Sequence, residues 1–238
     1  MLSLAASLPC SAFAFQSAPS RRRIAPSSSQ LSALPKEKLI ALAKDFLENP
    51  SPDALADDYV FRGPVIGPLC KEDISATLKS VGGDIQASFP DLEPNAFGFT
   101  ADDPIEPNRV WYFVRPRGTF SGKPFKHPVV GDIEATGAKV VAPPEARSMV
   151  FDDEGKIKHV TVGYVVDRFT GDTTGGKGAV FGLYHVMGQE IDATIGSPVT
   201  SFLQRLPDFL PEGMLPRSYS KEEDIPAWWT DKRRGADA

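Results

Sequence analysis

Asp167 closes the longest strand-like segment of the chain, residues 157–167, which is rich in Val, Ile and Tyr. A carboxylate held there among apolar side chains would be desolvated, and its pKa would rise towards neutrality. It could then take a proton from carbon beside a carbonyl and return it elsewhere. The plainer alternative is a strand-end aspartate in a surface ion pair with Arg168. Tyr59 and Tyr164 offer hydroxyl donors to an enolate developing on such a substrate. On the segment 109–117, Trp111, Phe113 and Arg115 share a face, because strand side chains alternate with period two. Two aromatic walls beside one cation suit a ring-bearing molecule with a carbonyl or anionic group. The alternative is ordinary core aromatics and an arginine that snorkels to the surface. Glu145 and Arg147 sit two apart on a neighbouring strand and can pair with such groups. His159 is a further candidate proton carrier, or else a partly exposed strand histidine.

Other chemistries find less support. Gly171, Gly176 and Lys177 nearly spell a phosphate-binding loop, but Gly178 stands where a magnesium-holding hydroxyl is needed. His127, His159 and His185 match no metal-ligand spacing, so no metal site is expected, and the acid–base chemistry above is expected to need no cofactor. There is no Gly-x-Ser-x-Gly elbow for a hydrolase nucleophile. Cys10 falls in a presumed leader, which leaves Cys70 alone and without an internal disulfide partner.

These residues must be positioned by a chain that changes character midway. Residues 35–48 carry Leu39, Ile40, Ala43, Phe46 and Leu47 at helical spacing, and Asn49-Pro50 ends the run. A brief strand at 59–61 follows. A second helix at 71–80 is expected to be interrupted by Gly82-Gly83, with a third short helix at 84–89. Strands are then predicted at 96–100, 109–117, 139–151 and 157–167, the third weakened by Pro143-Pro144. Along the last, His159, Thr161, Gly163, Val165 and Asp167 should share one face; Lys158, Val160, Val162, Tyr164 and Val166 should share the other. Helices first and antiparallel strands after them indicate an α+β domain with helices packed on one sheet. Beyond Asp167 the expectation is a flexible loop at 171–178, a short helix at 179–187, an amphipathic stretch at 202–210, and an extended tail. In that tail Trp228-Trp229 should dock on the domain or on a partner, since adjacent indoles left in water would be unusual.

One set of motifs recurs in order. Arg117-Gly118-Thr119-Phe120-Ser121-Gly122 is followed by Thr136-Gly137-Ala138-Lys139-Val140, then Phe151-Asp152-Asp153-Glu154-Gly155-Lys156-Ile157, then Asp167. Upstream, Leu55-Ala56-Asp57-Asp58-Tyr59-Val60-Phe61-Arg62-Gly63-Pro64 adds a first strand. Together these resemble the SnoaL-like polyketide cyclases of the nuclear-transport-factor-2-like superfamily, over about residues 34–188. The resemblance implies a cone, a strongly curved antiparallel sheet closed by N-terminal helices around an apolar pocket, and often a homodimer. It also places Asp167 at the position that often supplies the general acid or base. Relatives act as cofactor-free isomerases, dehydratases, epoxide hydrolases and cyclases, and others have lost catalysis. The chain departs from the pattern in a long linker at 123–135, a displaced last-strand aromatic and a C-terminal tail without counterpart.

The leader carries its own signal. Residues 2–8 are apolar, Ala12-Phe13-Ala14 gives an A-x-A cleavage arrangement, and residues 15–33 are rich in Ser, Ala and Pro with Arg21, Arg22 and Arg23. That order resembles the bipartite plastid presequences of algae with complex red-lineage plastids. All 31 acidic side chains lie beyond Lys36, so the body is more acidic than the net charge of −5 for the whole chain. Such a body argues against a nucleic-acid surface and against adhesion to anionic membranes. No apolar run reaches the roughly 20 residues of a membrane span. The expected organisation is a presequence at 1–33, an α+β cone at 34–190 and a tail at 191–238. The expected function is a soluble plastid protein whose pocket takes a small apolar or aromatic carbonyl compound. It would act on that compound by acid–base isomerisation, cyclisation or dehydration, or would bind or assemble without catalysis.

Overall fold

Pro35 opens the first helix as its fixed φ allows, and its carbonyl accepts from the Leu39 amide at 3.0 Å. The computed structural model describes residues 34–127, 130–192, 194, 197–210 and 217–230; the expected presequence and the last eight residues of the tail lie outside these. Helix α1 (Lys36–Glu48) buries Leu39 and Ala43, which lie four apart on one face. A 3₁₀ turn (Pro52–Ala54) leads into β1 (Leu55–Arg62) and the short β2 (Leu69–Cys70). Helix α2 (Lys71–Thr77) then passes through a π turn (Leu78–Gly82) into α3 (Gly83–Ser88). Gly82-Gly83 therefore does not interrupt the helical run. Both glycines keep right-handed helical dihedrals, and the cost of Gly in a helix is only about 1 kcal/mol each. The π turn takes up the extra residue.

The strands are β3 (Phe97–Thr100), β4 (Arg109–Val114), β5 (Arg117–Thr119), β6 (Phe125–His127), β7 (Gly131–Ile133), β8 (Lys139–Val141), β9 (Glu145–Phe151) and β10 (Ile157–Val165). Two expected strands are each split at proline. Segment 109–117 breaks at Arg115-Pro116, and 139–151 breaks at Pro143-Pro144. Pro has no amide to continue a ladder, so at both places the chain leaves one sheet for another. β4 and β9 pair in the main sheet, β5 and β8 pair apart from it, and the Ala142 amide donates to Pro116 O at 2.9 Å between the two breaks.

The main sheet runs β2-β1-β10-β9-β4-β3 and is open, with β2 and β3 at its edges. It is mixed and not wholly antiparallel, because β1 pairs with β10 in parallel. The long excursion between these two strands gives the chain room for the crossover that parallel pairing requires. The fold is α+β, as the order of elements predicts. On the inner face Val110, Tyr112, Val114, Met149, Ile157 and Val160 pack with Leu39, Ala43 and Ile74 in one buried cluster. A second cluster joins Phe89, Phe120, Phe125, Val140, Leu183 and Met187. Its Phe125 comes from the β6–β7 hairpin, so the long linker at 123–135 builds a core of its own.

The register of β10 slips between Thr161 and Tyr164, opposite Ser148 and Ala146 of β9. Gly163 lies in this bulge at φ +84°, and a Cβ there would meet Ala179 Cβ at 3.2 Å. The slip overturns the expected alternation. Residues directly opposite in an antiparallel pair share a face, so Tyr164 joins His159 and Thr161 on the outer face, and Val165 turns inward opposite Glu145.

Past β10 come α4 (Ala179–Val186), α5 (Pro198–Arg205), a 3₁₀ turn (Leu206–Phe209), another at Glu222–Asp224, and α6 (Ala227–Thr230). The tail is thus partly helical. Its Ser220 amide donates to Pro68 O at 2.8 Å, Ser218 O accepts from the Gly67 amide at 2.7 Å, and Ser220 Oγ accepts from the Cys70 amide at 2.8 Å. These contacts run along the β2 edge and satisfy donors that an edge strand would expose.

Candidate functional site

A cleft of about 1430 Å³ lies against the inner face of the sheet, bounded by the α2–α3 run on one side and by α4 with the loop before it on the other. Most of its wall is apolar, with Phe61, Leu69, Ile74, Val162 and Leu183 among the lining residues. The polar groups are few. Glu145, Arg147, Arg168 and Lys177 are the charged ones nearest the sheet and the loop.

Glu145 is the first residue of β9, directly after the proline pair, and its side chain has no exposed surface. A buried charge is tolerated only when paired and hydrogen-bonded. Both oxygens are so engaged: Oε2 accepts from Arg147 Nη2 at 2.9 Å, and Oε1 accepts from the Ala179 amide at 2.9 Å. The second bond places the carboxylate at the N-terminus of α4, where the helix's orphan amides favour negative charge. Gly178 permits this approach, since a Cβ there would meet Gly163 O and Val165 Cγ2 at 3.0 Å and Glu145 Cδ at 3.2 Å. Arg147 Nε is buried and makes no hydrogen bond among the described residues. Tyr112, opposite Arg147 in the ladder, has its hydroxyl pKa pushed up to about 12 by burial, against the pull of the Arg147 charge.

The loop 171–178 is tied down, where a flexible loop was expected. Asp172 Oδ1 accepts from the amides of Thr174 and Gly176 at 2.7 and 2.9 Å and from Thr174 Oγ1 at 3.1 Å. These donors, led by the Gly176 amide, hold the Asp172 carboxyl below its usual range. The amides that a phosphate would use are therefore taken by the loop's own carboxylate. Lys177 is likewise paired with Glu190 at 2.7 Å.

Of the residues singled out by sequence, Glu145, Arg147 and Tyr164 are among those lining the cleft, but the slip in β10 turns the Tyr164 side chain, opposite Ala146, to the outer face, so its phenol is not a cleft group. Asp167 lies beyond β10 and outside the cleft lining; its Oδ1 accepts from the Phe169 amide at 2.8 Å. It forms no ion pair with Arg168 among the described residues. Tyr59 is a member of the main core, and burial pushes its hydroxyl pKa up. Trp111 and Phe113 sit on the opposite face of the sheet, because β4 turns Val110, Tyr112 and Val114 inward. Trp111 Nε1 donates to Asp103 Oδ2 at 2.8 Å, and Phe113 stacks on Phe97 with centroids 5.7 Å apart. Arg115 falls past the end of β4 and outside the cleft lining, so these three do not form one wall. His159 is buried and not part-exposed: Nδ1 lies 2.7 Å from Val60 O, and Trp229 packs 5.0 Å from its ring. Trp228 Nε1 donates to Asp58 O at 2.8 Å, and Lys158 Nζ lies 5.0 Å from its ring.

The Glu145–Arg147 pair carried a sequence signal of its own. Two opposite charges spaced for one strand face, followed directly by Ser148-Met149-Val150-Phe151, belong either at a site or in a buried pair. Cys70 is buried, and burial pushes its thiol pKa up, which leaves it an unreactive packing residue. Among the described residues no cluster of His, Cys, Asp and Glu is suited to a metal ion, and no helix is long and apolar enough to cross a membrane.

No protein-family model matches the sequence, and no curated protein matches it. Among solved structures, AclR, a proposed hydroxylase from Streptomyces galilaeus, is similar at 16% identity and a TM-score of 0.44, covering 73% of this chain and 94% of its own. A proposed SnoaL-like polyketide cyclase from Jannaschia sp. CCS1 is similar at 14% identity and a TM-score of 0.38, covering 53% and 85%. A phenazine biosynthesis-related protein from Pseudomonas aeruginosa is similar at 15% identity and a TM-score of 0.35, covering 68% and 85%. Likenesses this distant assign neither family nor activity to the chain.

Proposed function

We propose that this chain is a SnoaL-like ligand-binding protein whose cleft takes a mostly apolar molecule bearing a carbonyl or carboxylate. The observation that carries this is the single cleft wall in which apolar side chains surround a fully buried, ion-paired carboxylate, Glu145, with Arg147 beside it. A concave apolar site with a few convergent polar groups is what recognition of a small molecule needs. The order of motifs from Leu55 to Asp167 supports the family, and the composition of residues 2–33 supports import into a plastid. Homodimerisation belongs to the same family reading. The test is titration of the full chain with the neutral, environment-sensitive fluorophore N-phenyl-1-naphthylamine. Saturable enhancement is expected, and Val162→Trp, which fills the cleft, abolishes it. Equal enhancement in both proteins contradicts the proposal.

A second reading is cofactor-independent proton transfer on the bound compound. It is favoured by the presence of the Glu145 carboxylate and the Arg147 guanidinium in one cleft lining. Glu145 would abstract the proton and Arg147 would stabilise the enolate. Both Glu145 oxygens already accept hydrogen bonds, so a base role requires one of these to be exchanged for the substrate. Incubation of an α,β-unsaturated ketone in D₂O separates the readings. Deuterium incorporation lost in Glu145→Gln marks chemistry, and none above buffer marks binding alone.

A further inference from the structure

The charged groups of the cleft are matched with one exception. Glu145 holds Arg147, Glu190 holds Lys177 and also lies 2.7 Å from His185 Nδ1, and Asp208 accepts from Arg217 Nη1 at 2.9 Å. Asp192 is held by the hydroxyls of Ser197, Thr194 and Thr200 and by the Thr194 amide, which bring its pKa down to about 2. Arg168 lines the cleft, is exposed at its mouth, and makes no ion pair or hydrogen bond among the described residues. Its side-chain stem runs along the loop at Gly176, where a Cβ would lie 3.9 Å from Arg168 Cβ, Cγ and Cδ. The neighbouring Asp167 carboxylate is turned back to the Phe169 amide, which leaves the guanidinium clear.

The size of the cleft narrows what the free cation would meet. Pockets for drug-sized ligands hold roughly 300–1,000 Å³, and this one exceeds that range at about 1430 Å³. The cleft thus has room for an occupant longer or with more rings than a drug-sized molecule. Its body lies among Phe61, Ile74, Leu78, Val81, Ile85 and Val162. One unmatched guanidinium suits one singly charged, planar, bidentate acceptor, which is a carboxylate. A dianionic phosphate would call for a second cation, and Lys177 and Arg217 are already spent.

We propose that Arg168 is the head-group anchor of the cleft and that its ligand is an amphiphile, a large apolar body with one carboxylate at the mouth. This rests on the ligand-cleft reading above. Arg168 determines specificity, and the deeper Glu145–Arg147 pair shapes the interior.

The test uses the full chain, with cis-parinaric acid and its methyl ester as fluorescent probes of equal length and unequal charge. The acid is expected to bind more tightly than the ester, and added salt should weaken the acid alone. Arg168→Gln should weaken the acid about fivefold, the size of a partly exposed charge contact, and leave the ester unchanged. Arg168→Lys should keep most of the preference, which shows that charge and not local structure is responsible. Equal binding of acid and ester, or equal loss of both in Arg168→Gln, overturns the anchor while the cleft stands. Binding of neither probe overturns the cleft reading, and the anchor with it.

Discussion

Glu145 has no exposed surface, yet it is tied to three parts of the fold at once: β9 by its backbone, Arg147 by charge, and α4 through the Ala179 amide. Removing one member of a buried pair leaves the other charge uncompensated, at a typical cost of about 3–5 kcal/mol. Glu145→Ala should lower urea-unfolding stability by that order. The double variant with Arg147→Ala should lose less than the sum of the single ones, because the orphan charge is gone. Strict additivity would show that the pair is not coupled. Tyr112 gives a second handle at this scale. Burial raises its pKa from 10.0 to about 12, so the unfolded chain gives up the phenolic proton first as pH rises. Its contribution is complete below pH 10 and is lost between about 10 and 12, and the buried Tyr59 acts in the same direction. Tyr112→Phe should therefore flatten the alkaline fall of stability measured by pH-dependent unfolding.

The β6–β7 hairpin and α4 meet in the second apolar cluster, which is separate from the core beneath α1. Phe125→Ala should cost about 3–5 kcal/mol where the site cannot collapse. Hydrogen exchange should quicken in α3, α4 and the hairpin, and α1 should keep its protection; loss across the whole molecule would show one core. Element types were largely legible in the sequence, because helical spacing at 35–48 and β-branched runs at 109–117 and 157–167 are strong local patterns. Where the elements break was only half legible. Pro143-Pro144 read as a weak point of one strand, but that Pro116 would break its partner at the matching place is a tertiary fact. The bulge at Gly163 was not legible, and it alone moved Tyr164 and Val165 to opposite faces. A period-two argument carries its error past such a bulge, and among the candidate residues this cost Tyr164, while Trp111 and Phe113 were missed because nothing local in β4 says which face turns to the helices. Asp167 was lost because β10 ends at Val165, before it, so no strand face positions its side chain.

At the scale of the whole molecule, an open mixed sheet, a helical cover and a C-terminal wrap together define a cleft with an apolar wall and a charge set matched, among the described residues, except at Arg168. The wrap adds two things at once. Its α4 closes one side of the cleft through Glu145, and its tail runs along the β2 edge and ends with Trp228 and Trp229 against His159 on the far face. Trp228→Ala should redden and weaken the remaining tryptophan emission as the pair loses its shelter, without altering probe binding in the cleft. The central claim is that this cleft holds a mostly apolar molecule. Native mass spectrometry of the full chain, against Val162→Trp, tests it most directly. The claim predicts an organic adduct that survives gentle ionisation, disappears on denaturation and is absent from the filled variant. A bare mass for the native chain, even after incubation with cis-parinaric acid, would contradict it.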